Sequence, residues 1–356
     1  QAMMIAIEKI CPDTHSLLLI PENHTRNIFY LQNVSVLQTI LRNTGMNVRI
    51  GTLLPEISKV STIDLPNGES IMLEPIHRKG NRLVLEDFDP CAVLLNNDLS
   101  TGAPDILQNL EQAVIPPIHA GWAIRRKSSF FTEYNFVAKE FSNLIGIDPW
   151  LINPYFASCG KINFNEKKGE DCVVKNVDKI LLEIRKKYQQ YGVKEDPFVI
   201  VKTDAGTYGM GVITIKNSEE IRTLNRKQRN KMSVAKEGQP VTKVLVQEGV
   251  YTFESIDAAV AEPVIYMIDR YVVGGFYRVH TERGKDENLN APGMHFVPLS
   301  FEPTCLLPDK KNRQPYAPNR FYAYSVIARL SLLAAALELE QSVNSSADLI
   351  SKSAKN

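Results

Sequence analysis

The sequence lacks a dominant sign of charge. Its 356 residues carry 41 Lys and Arg against 40 Asp and Glu, a net charge of +1 at neutral pH. A chain so balanced is not built for bulk electrostatic adhesion, so neither nucleic acid nor an anionic membrane is an expected partner. It also lacks a long apolar run. The most apolar stretch, Val326–Leu339, is short and holds Arg329 and Glu338, whereas a membrane span needs about 20 apolar residues. A buried or docking helix is expected there. Cysteine is sparse: Cys11, Cys91, Cys159, Cys172 and Cys305 are widely spaced and form no C-x-x-C pair. That pattern suits a reducing compartment and argues against a disulfide framework or a zinc site. No basic region followed by an apolar core and a small-residue cleavage site opens the chain, so no secretory signal is expected. A cytoplasmic globular protein is the expectation, with room for two or three domains of about 100–200 residues each.

What is present is an alternation of helix-like and strand-like segments. Asn33–Arg42 has helical apolar spacing and stops at Asn43-Thr44-Gly45, and Asn47–Leu53 then alternates like a strand. Ser70–Glu74 and Arg82–Glu86 read as strands around a turn at Lys79-Gly80-Asn81, and Cys91–Leu95 is a continuous apolar run of the kind buried on both faces. That run leads into Asn96-Asn97-Asp98, and a polar loop after a buried strand is where open α/β sheets place ligands. Thr132–Leu144 is an amphipathic helix ended by Gly146 and Pro149, and Val174–Tyr191 is a second helix with a basic, solvated face. Breaks at Pro149, Pro154 and Gly160 place the main boundary near residues 148–165. The second half holds strands at Phe198–Lys202, Val212–Lys216, Val244–Gln247, Val264–Ile268 and Val272–Val279, with one basic helical stretch at Ser218–Met232. Short turns between neighbouring strands imply an antiparallel sheet in an α+β domain. The expected division is an α/β domain over 1–150, a second domain over 151–341 and a polar tail over 342–356.

The segment Phe198–Ile215 (FVIVKTDAGTYGMGVITI) carries the strongest chemical signal. A β-branched strand ends at Lys202, and a loop with Gly206, Gly209 and Gly211 leads into a second strand. Glycines let a backbone approach an anion and turn N–H groups toward it, and a lysine at the loop's edge can hold a phosphate as a point charge. The plain alternative is a glycine-rich hairpin with a surface lysine. It is not a Walker A loop or a G-x-G-x-x-G turn, because the lysine precedes the glycines and a strand follows them. Further on, Val244–Val250 runs into Gln247-Glu248-Gly249, which can offer amide and backbone groups to a flat heterocycle, unless it is a simple strand end. Glu262 could accept from ribose hydroxyls, and Arg278, behind the Gly274-Gly275 pair, fits phosphate clamping. Asp286–Gly293 (DENLNAPG) is a polar loop of the kind that closes over phosphates.

The order strand–Lys, glycine hairpin, basic helix, strand–Gln-Glu, Glu-strand, strand–Arg, Asn-Leu loop, helix resembles the ATP-grasp ligases over roughly residues 90–340. The resemblance implies an α/β (α+β) ATP-grasp fold with an N-terminal parallel-sheet domain, a lid at about 198–245, and ATP held between two antiparallel sheets. It implies that Lys202 contacts phosphates, that Gly206, Gly209 and Gly211 form the lid, and that Gln247, Glu248 and Val250 bracket the adenine. Glu262 would hold the ribose and Arg278 the transferred phosphoryl group. Asn288 matches the Asn-Leu loop, and Lys161 is the candidate for a second nucleotide lysine. The group's final strand with its Glu-x-Asn magnesium ligands is not visible before the polar tail. Glu287 and Asn290 are the substitutes for holding Mg2+.

The stretches NNDLSTGAPDIL, PPIHAGWAIRRKSSFF, VIVKTDAGTYGMGV and GGFYRVHTERGKDENLNAPG resemble proteobacterial glutamate–cysteine ligases of ATP-grasp type. This implies L-glutamate, L-cysteine and ATP as substrates, passing through a γ-glutamyl phosphate, in a possible homo-oligomer. Arg125, Arg126 and Lys127 are candidates to hold a substrate carboxylate, with a solvated basic turn as the equal alternative. Asn97, with Asn96 and Asp98, is a substrate candidate by position. Cys159 has no local partner signature and is expected to be a buried structural thiol. Another ATP-grasp carboxylate–amine ligase, or a non-catalytic nucleotide-binding protein, are the competing readings.

Overall fold

Ser16–Pro21 (SLLLIP) is apolar at almost every position and forms a strand, β1, buried on both faces. Leu17 and Leu19 enter one apolar cluster, and Leu18 and Ile20 enter another on the opposite side. The structure is a computed structural model that describes residues 2–12, 15–22, 27–206, 211–233, 240–299 and 320–353. Contacts divide the chain into two units, 1–124 and 125–356.

The first unit begins with α1 (Ala2–Glu8), β1, α2 (Ile28–Arg42) and β2 (Asn47–Thr52). β3 (Ser61–Asp64), β4 (Ser70–Pro75), β5 (His77–Lys79), β6 (Arg82–Val84), β7 (Ala92–Asn96) and β8 (Ala113–Ile115) follow. Six of these strands form one sheet in the order β3-β4-β2-β1-β7-β8, parallel except for the β3–β4 pair. The turn at Lys79-Gly80-Asn81 joins β5 to β6. β4 therefore does not pair across that turn as expected, but joins β2 in the main sheet.

The second unit holds α3 (Lys127–Ile145), β9 (Phe156–Gly160), α4 (Glu170–Tyr191), β10 (Val199–Thr203) and β11 (Val212–Ile215). α5 (Glu219–Arg222), α6 (Arg226–Ser233) and β12 (Lys243–Glu248) complete its first layer. β13 (Ser255–Ile256), β14 (Ala259–Ile268), β15 (Tyr271–His280), β16 (His295–Pro298) and α7 (Arg320–Ser353) come last. Two antiparallel four-stranded sheets result, β11-β10-β12-β9 and β13-β14-β15-β16. α4 places Val173, Val177, Ile180, Leu181, Ile184 and Tyr188 at helical spacing and buries them against the first of these sheets.

The boundary falls between Ile124 and Arg125, ahead of the expected 148–165. The reason is packing. α3 buries Tyr134, Val137 and Ala138 against Leu330 and Ala334 of α7, so it belongs to the second unit. α3 does stop where expected, at Gly146, which takes the left-handed conformation (φ 69°) and donates its N–H to Ser142. The polar segment expected after residue 341 is helical as far as Ser353, the end of α7. Within α7, Tyr322–Ser342 is long and apolar enough to cross a membrane by length and composition alone. It packs on α3, and its Glu338 forms a buried ion pair with Arg125.

The Glu338 side chain is 6% exposed and that of Arg125 is 19% exposed. Removing the guanidinium leaves a carboxylate buried without its partner, at a cost of about 3 kcal/mol. Arg125→Met should lower unfolding stability by about that amount in a denaturant titration, and adding Glu338→Leu should recover most of it. A single-variant loss below about 0.5 kcal/mol would mark the pair as an ordinary surface bridge.

Candidate functional site

Strand alternation builds the site. Lys202 lies opposite Val212 and Leu245, and Ile200 lies opposite Thr214 and Gln247. Gln247 and Leu245 are in turn opposite Phe156 and Ser158. These residues therefore share one face of the sheet. The other face carries Cys159, Val199, Val201, Ile215, Val244 and Val246, packed against α4. One face is core, and the other presents a lysine and an amide in an apolar frame.

Lys202 is held 5.0 Å from the Phe131 ring centroid. Burial, reinforced by the charge of Lys127, pushes its pKa down to about 8. Among the described residues it has no ion-pair partner. Lys127, in the first turn of α3, donates Nζ to the carbonyls of Gly206 (2.8 Å) and Ala205 (3.3 Å), and burial lowers its pKa as well. The structure thus sets Lys127 beside Lys202. Lys161, the expected second lysine, is exposed past the end of edge strand β9 with φ 57°.

Asp204 joins these parts. Its buried carboxylate accepts from the Ser128 N–H (2.7 Å), the Ser128 hydroxyl (2.9 Å) and Lys243 Nζ (3.3 Å). α3 has no side-chain cap of its own from Arg126, so Asp204 caps it from the hairpin. Gly211 closes the hairpin with φ 61°, where an added Cβ would lie 2.3 Å from Thr203 Cγ2. Gly206 also has positive φ, and Gly209 lies outside the described residues.

Gln247 Oε1 is buried and has no hydrogen-bond partner among the described residues. An exocyclic amine of a heterocycle is the kind of donor it calls for. Glu248 departs from the expectation. Its carboxylate turns to the other face, where Trp150 Nε1 and the Tyr155 N–H each donate at 2.9 Å, and burial raises its pKa against those bonds. Val250 is 67% exposed.

On the second sheet, Glu262 and Arg278 are cross-strand partners joined at 2.7 Å. Arg278 Nε is buried and has no hydrogen-bond partner among the described residues. The loop after β15 is anchored by buried Leu289 and by His280. Glu282 N–H donates to His280 Nδ1, so Nε2 carries the proton and donates to the Pro292 carbonyl at 3.0 Å. Asn288, Asn290 and Glu287 line a cavity of about 440 Å³ together with Val212, Thr214 and Lys231. Lys216 bridges to Asp286 at 2.8 Å and ties this loop to β11.

The expected magnesium pair, Glu287 and Asn290, lines one cavity, and Glu287 is already engaged by other groups. Glu287 is taken up by Arg283 (2.8 Å) and the Gly284 N–H (2.7 Å), which hold its carboxyl below the usual range. Asn290 donates its N–H to Asn288 Oδ1. Among the described residues no three His, Cys, Asp or Glu side chains gather to hold a metal. The substrate candidates fall on both sides of the unit boundary. Arg125 is committed to Glu338, and Arg126 is exposed, with NH1 donating to the Arg125 carbonyl. Asn97 lies in the first unit, in a cavity of about 340 Å³ near the ends of β1 and β7, with Oδ1 accepting from the Leu99 N–H.

The burial cost of Lys202 is a stability statement. Its folded pKa is depressed, so below about pH 8 the charged form carries the full cost, which is relieved as pH rises toward the ordinary lysine value of 10.5. Without nucleotide, Lys202→Met should raise unfolding stability at pH 7 by about 2 kcal/mol, and the gain should shrink toward pH 10. A pH-independent difference in thermal unfolding would contradict the depressed pKa.

A family model described as GshA, glutamate-cysteine ligase, matches residues 1–339. A crystal structure from Methylobacillus flagellatus KT, provisionally described as a gamma-glutamylcysteine synthetase, is 62% identical. The match covers 96% of this chain and 81% of that one, with a TM-score of 0.86. D-alanyl-alanine synthetase A from Vibrio cholerae matches at 12% identity and a TM-score of 0.42, over 89% of this chain and 81% of that one. No curated protein matches the sequence.

Proposed function

The chain belongs to the glutamate–cysteine ligase family, and we propose from this that ATP sits on the Lys202 face of the sheet and is used there to activate glutamate. The observation that carries the proposal is the pairing of two half-buried lysines, Lys202 and Lys127, with no carboxylate bound to Lys202 among the described residues. A partly desolvated cation without a counter-ion calls for an anion. The carbonyls of Ala205 and Gly206 in the glycine hairpin hold Lys127 on that face. Gln247, with its orphaned Oε1, would accept from the adenine amine. Only the backbone of Glu248, and Val250, would border the base.

The chemistry then follows in two steps. The γ-carboxylate oxygen of glutamate attacks the γ-phosphorus of ATP, and the bond to the bridging oxygen breaks to release ADP. Lys202, and Arg278 across from Glu262, offset the charge that spreads over the phosphoryl oxygens. The amine of cysteine attacks the carbonyl carbon of the γ-glutamyl phosphate, phosphate leaves and the amine loses a proton. Placement and charge do the work, and no protein nucleophile is needed. Asn288 and the other loop side chains at the 440 Å³ cavity would cover the phosphates. Glu262 would hold the ribose while it orients Arg278. The Glu287 carboxylate is held by Arg283 and the Gly284 N–H, so no step is routed through a metal on it. Five cysteines without a C-x-x-C pair suit the cytoplasm, where the thiol of the substrate also stays reduced.

Incubation with ATP, glutamate and cysteine should release phosphate and give γ-glutamylcysteine by mass, with glycine or alanine failing to replace cysteine. Lys202→Met should lower kcat/KM by about 100-fold or more. Phosphate release that does not depend on cysteine would defeat the ligase assignment. Full activity in the variant would defeat only the role of Lys202.

A further inference from the structure

Two thiols on the back of the nucleotide sheet meet without being bonded. Cys159 is at the end of β9 and 1% exposed, and Cys172 is exposed in the first turn of α4. Their Sγ atoms lie 2.7 Å apart, against about 2.05 Å for a disulfide bond. Asn176, one turn beyond Cys172, donates Nδ2 to both sulfurs, at 3.1 Å to Cys159 and 3.5 Å to Cys172. The intervening segment carries Lys161 and returns on itself through the Asn163–Lys168 bridge, which brings the two elements together. One reachable thiol, one sheltered thiol and a shared donor are the parts of a thiol–disulfide exchange pair.

We propose that Cys159 and Cys172 are a modification site for a low-molecular-weight disulfide, closing reversibly to a Cys159–Cys172 bond. The Cys172 thiolate attacks one sulfur of the small disulfide. The S–S bond of that molecule breaks, one small thiolate leaves and takes up a proton, and a mixed disulfide remains on Cys172. Cys159 gives up its proton and attacks the Cys172 sulfur, expelling the second small thiol. Two protein thiols are oxidised and one small disulfide is reduced to two thiols, so electrons and protons balance. Asn176 stabilises the negative sulfur in the second step. The bond fixes the edge of the nucleotide sheet to the helix that supports it.

The test needs neither ATP nor turnover, so it stands apart from the ligase reading. Full-length protein is incubated with cystine under native conditions and mapped by peptide mass spectrometry. The wild type should lose two thiols, gain no adduct, and yield Cys159 and Cys172 in one linked peptide pair. Cys159→Ser should instead retain a cysteinyl adduct on Cys172. Cys172→Ser, a change at an exposed position, should leave Cys159 unmodified. A lasting adduct on wild-type Cys172, a bond formed only at Cys11 and Cys91, or no reaction at either thiol would overturn the proposal.

Discussion

The arrangement at Lys202 depends on one constraint: a β-strand cannot put neighbouring side chains on the same face. In β10, Val199 and Val201 go to the core with α4, which forces Ile200 and Lys202 onto the opposite side. β12 does the same with Val244 and Val246 against Leu245 and Gln247. The packing that stabilises the sheet therefore also delivers a cation and an amide to a shared surface. Lys202 sits over Phe131 with Lys127 nearby, and its charge is destabilised in the protein alone. That cost is tolerable because an anionic ligand would remove it.

The second unit is held so that this surface keeps its shape. Asp204 follows Lys202 by two residues and caps α3, while Lys127 reaches back from α3 to the hairpin. The same helix is locked to α7 by the Tyr134–Leu330 cluster and by Arg125 with Glu338. A basic turn that looks like a substrate grip in sequence thus divides its labour. Arg125 serves the fold, Lys127 faces the hairpin, and Arg126 remains at the surface.

Much of this was legible from local patterns. The buried run at Cys91–Leu95, the helix ending at Gly146 and the Lys202 hairpin each depend on residues close in sequence, and each forms as expected. Long-range relations were not legible. Nothing near residue 130 announces that α3 packs on a helix two hundred residues later, so the domain boundary was set too late. Lys127 and Lys202 are seventy-five residues apart, and only the α3–hairpin junction brings them together. Gln247 and Glu248 look alike as motif residues, but alternation sends the Glu248 carboxylate to Trp150. The Glu262–Arg278 pair was within reach, since a turn at Asp269-Arg270 makes those two positions opposite each other.

The claim that Lys202 is a phosphate seat is tested most directly by proton uptake on ATP binding, measured by titration calorimetry at pH 8 in buffers of different ionisation enthalpy. A lysine poised at about pH 8 is half neutral there, and an arriving phosphate makes it fully charged. The account predicts uptake approaching about half a proton per ATP, much reduced in Lys202→Met. Binding without uptake, or uptake unchanged in the variant, would contradict it.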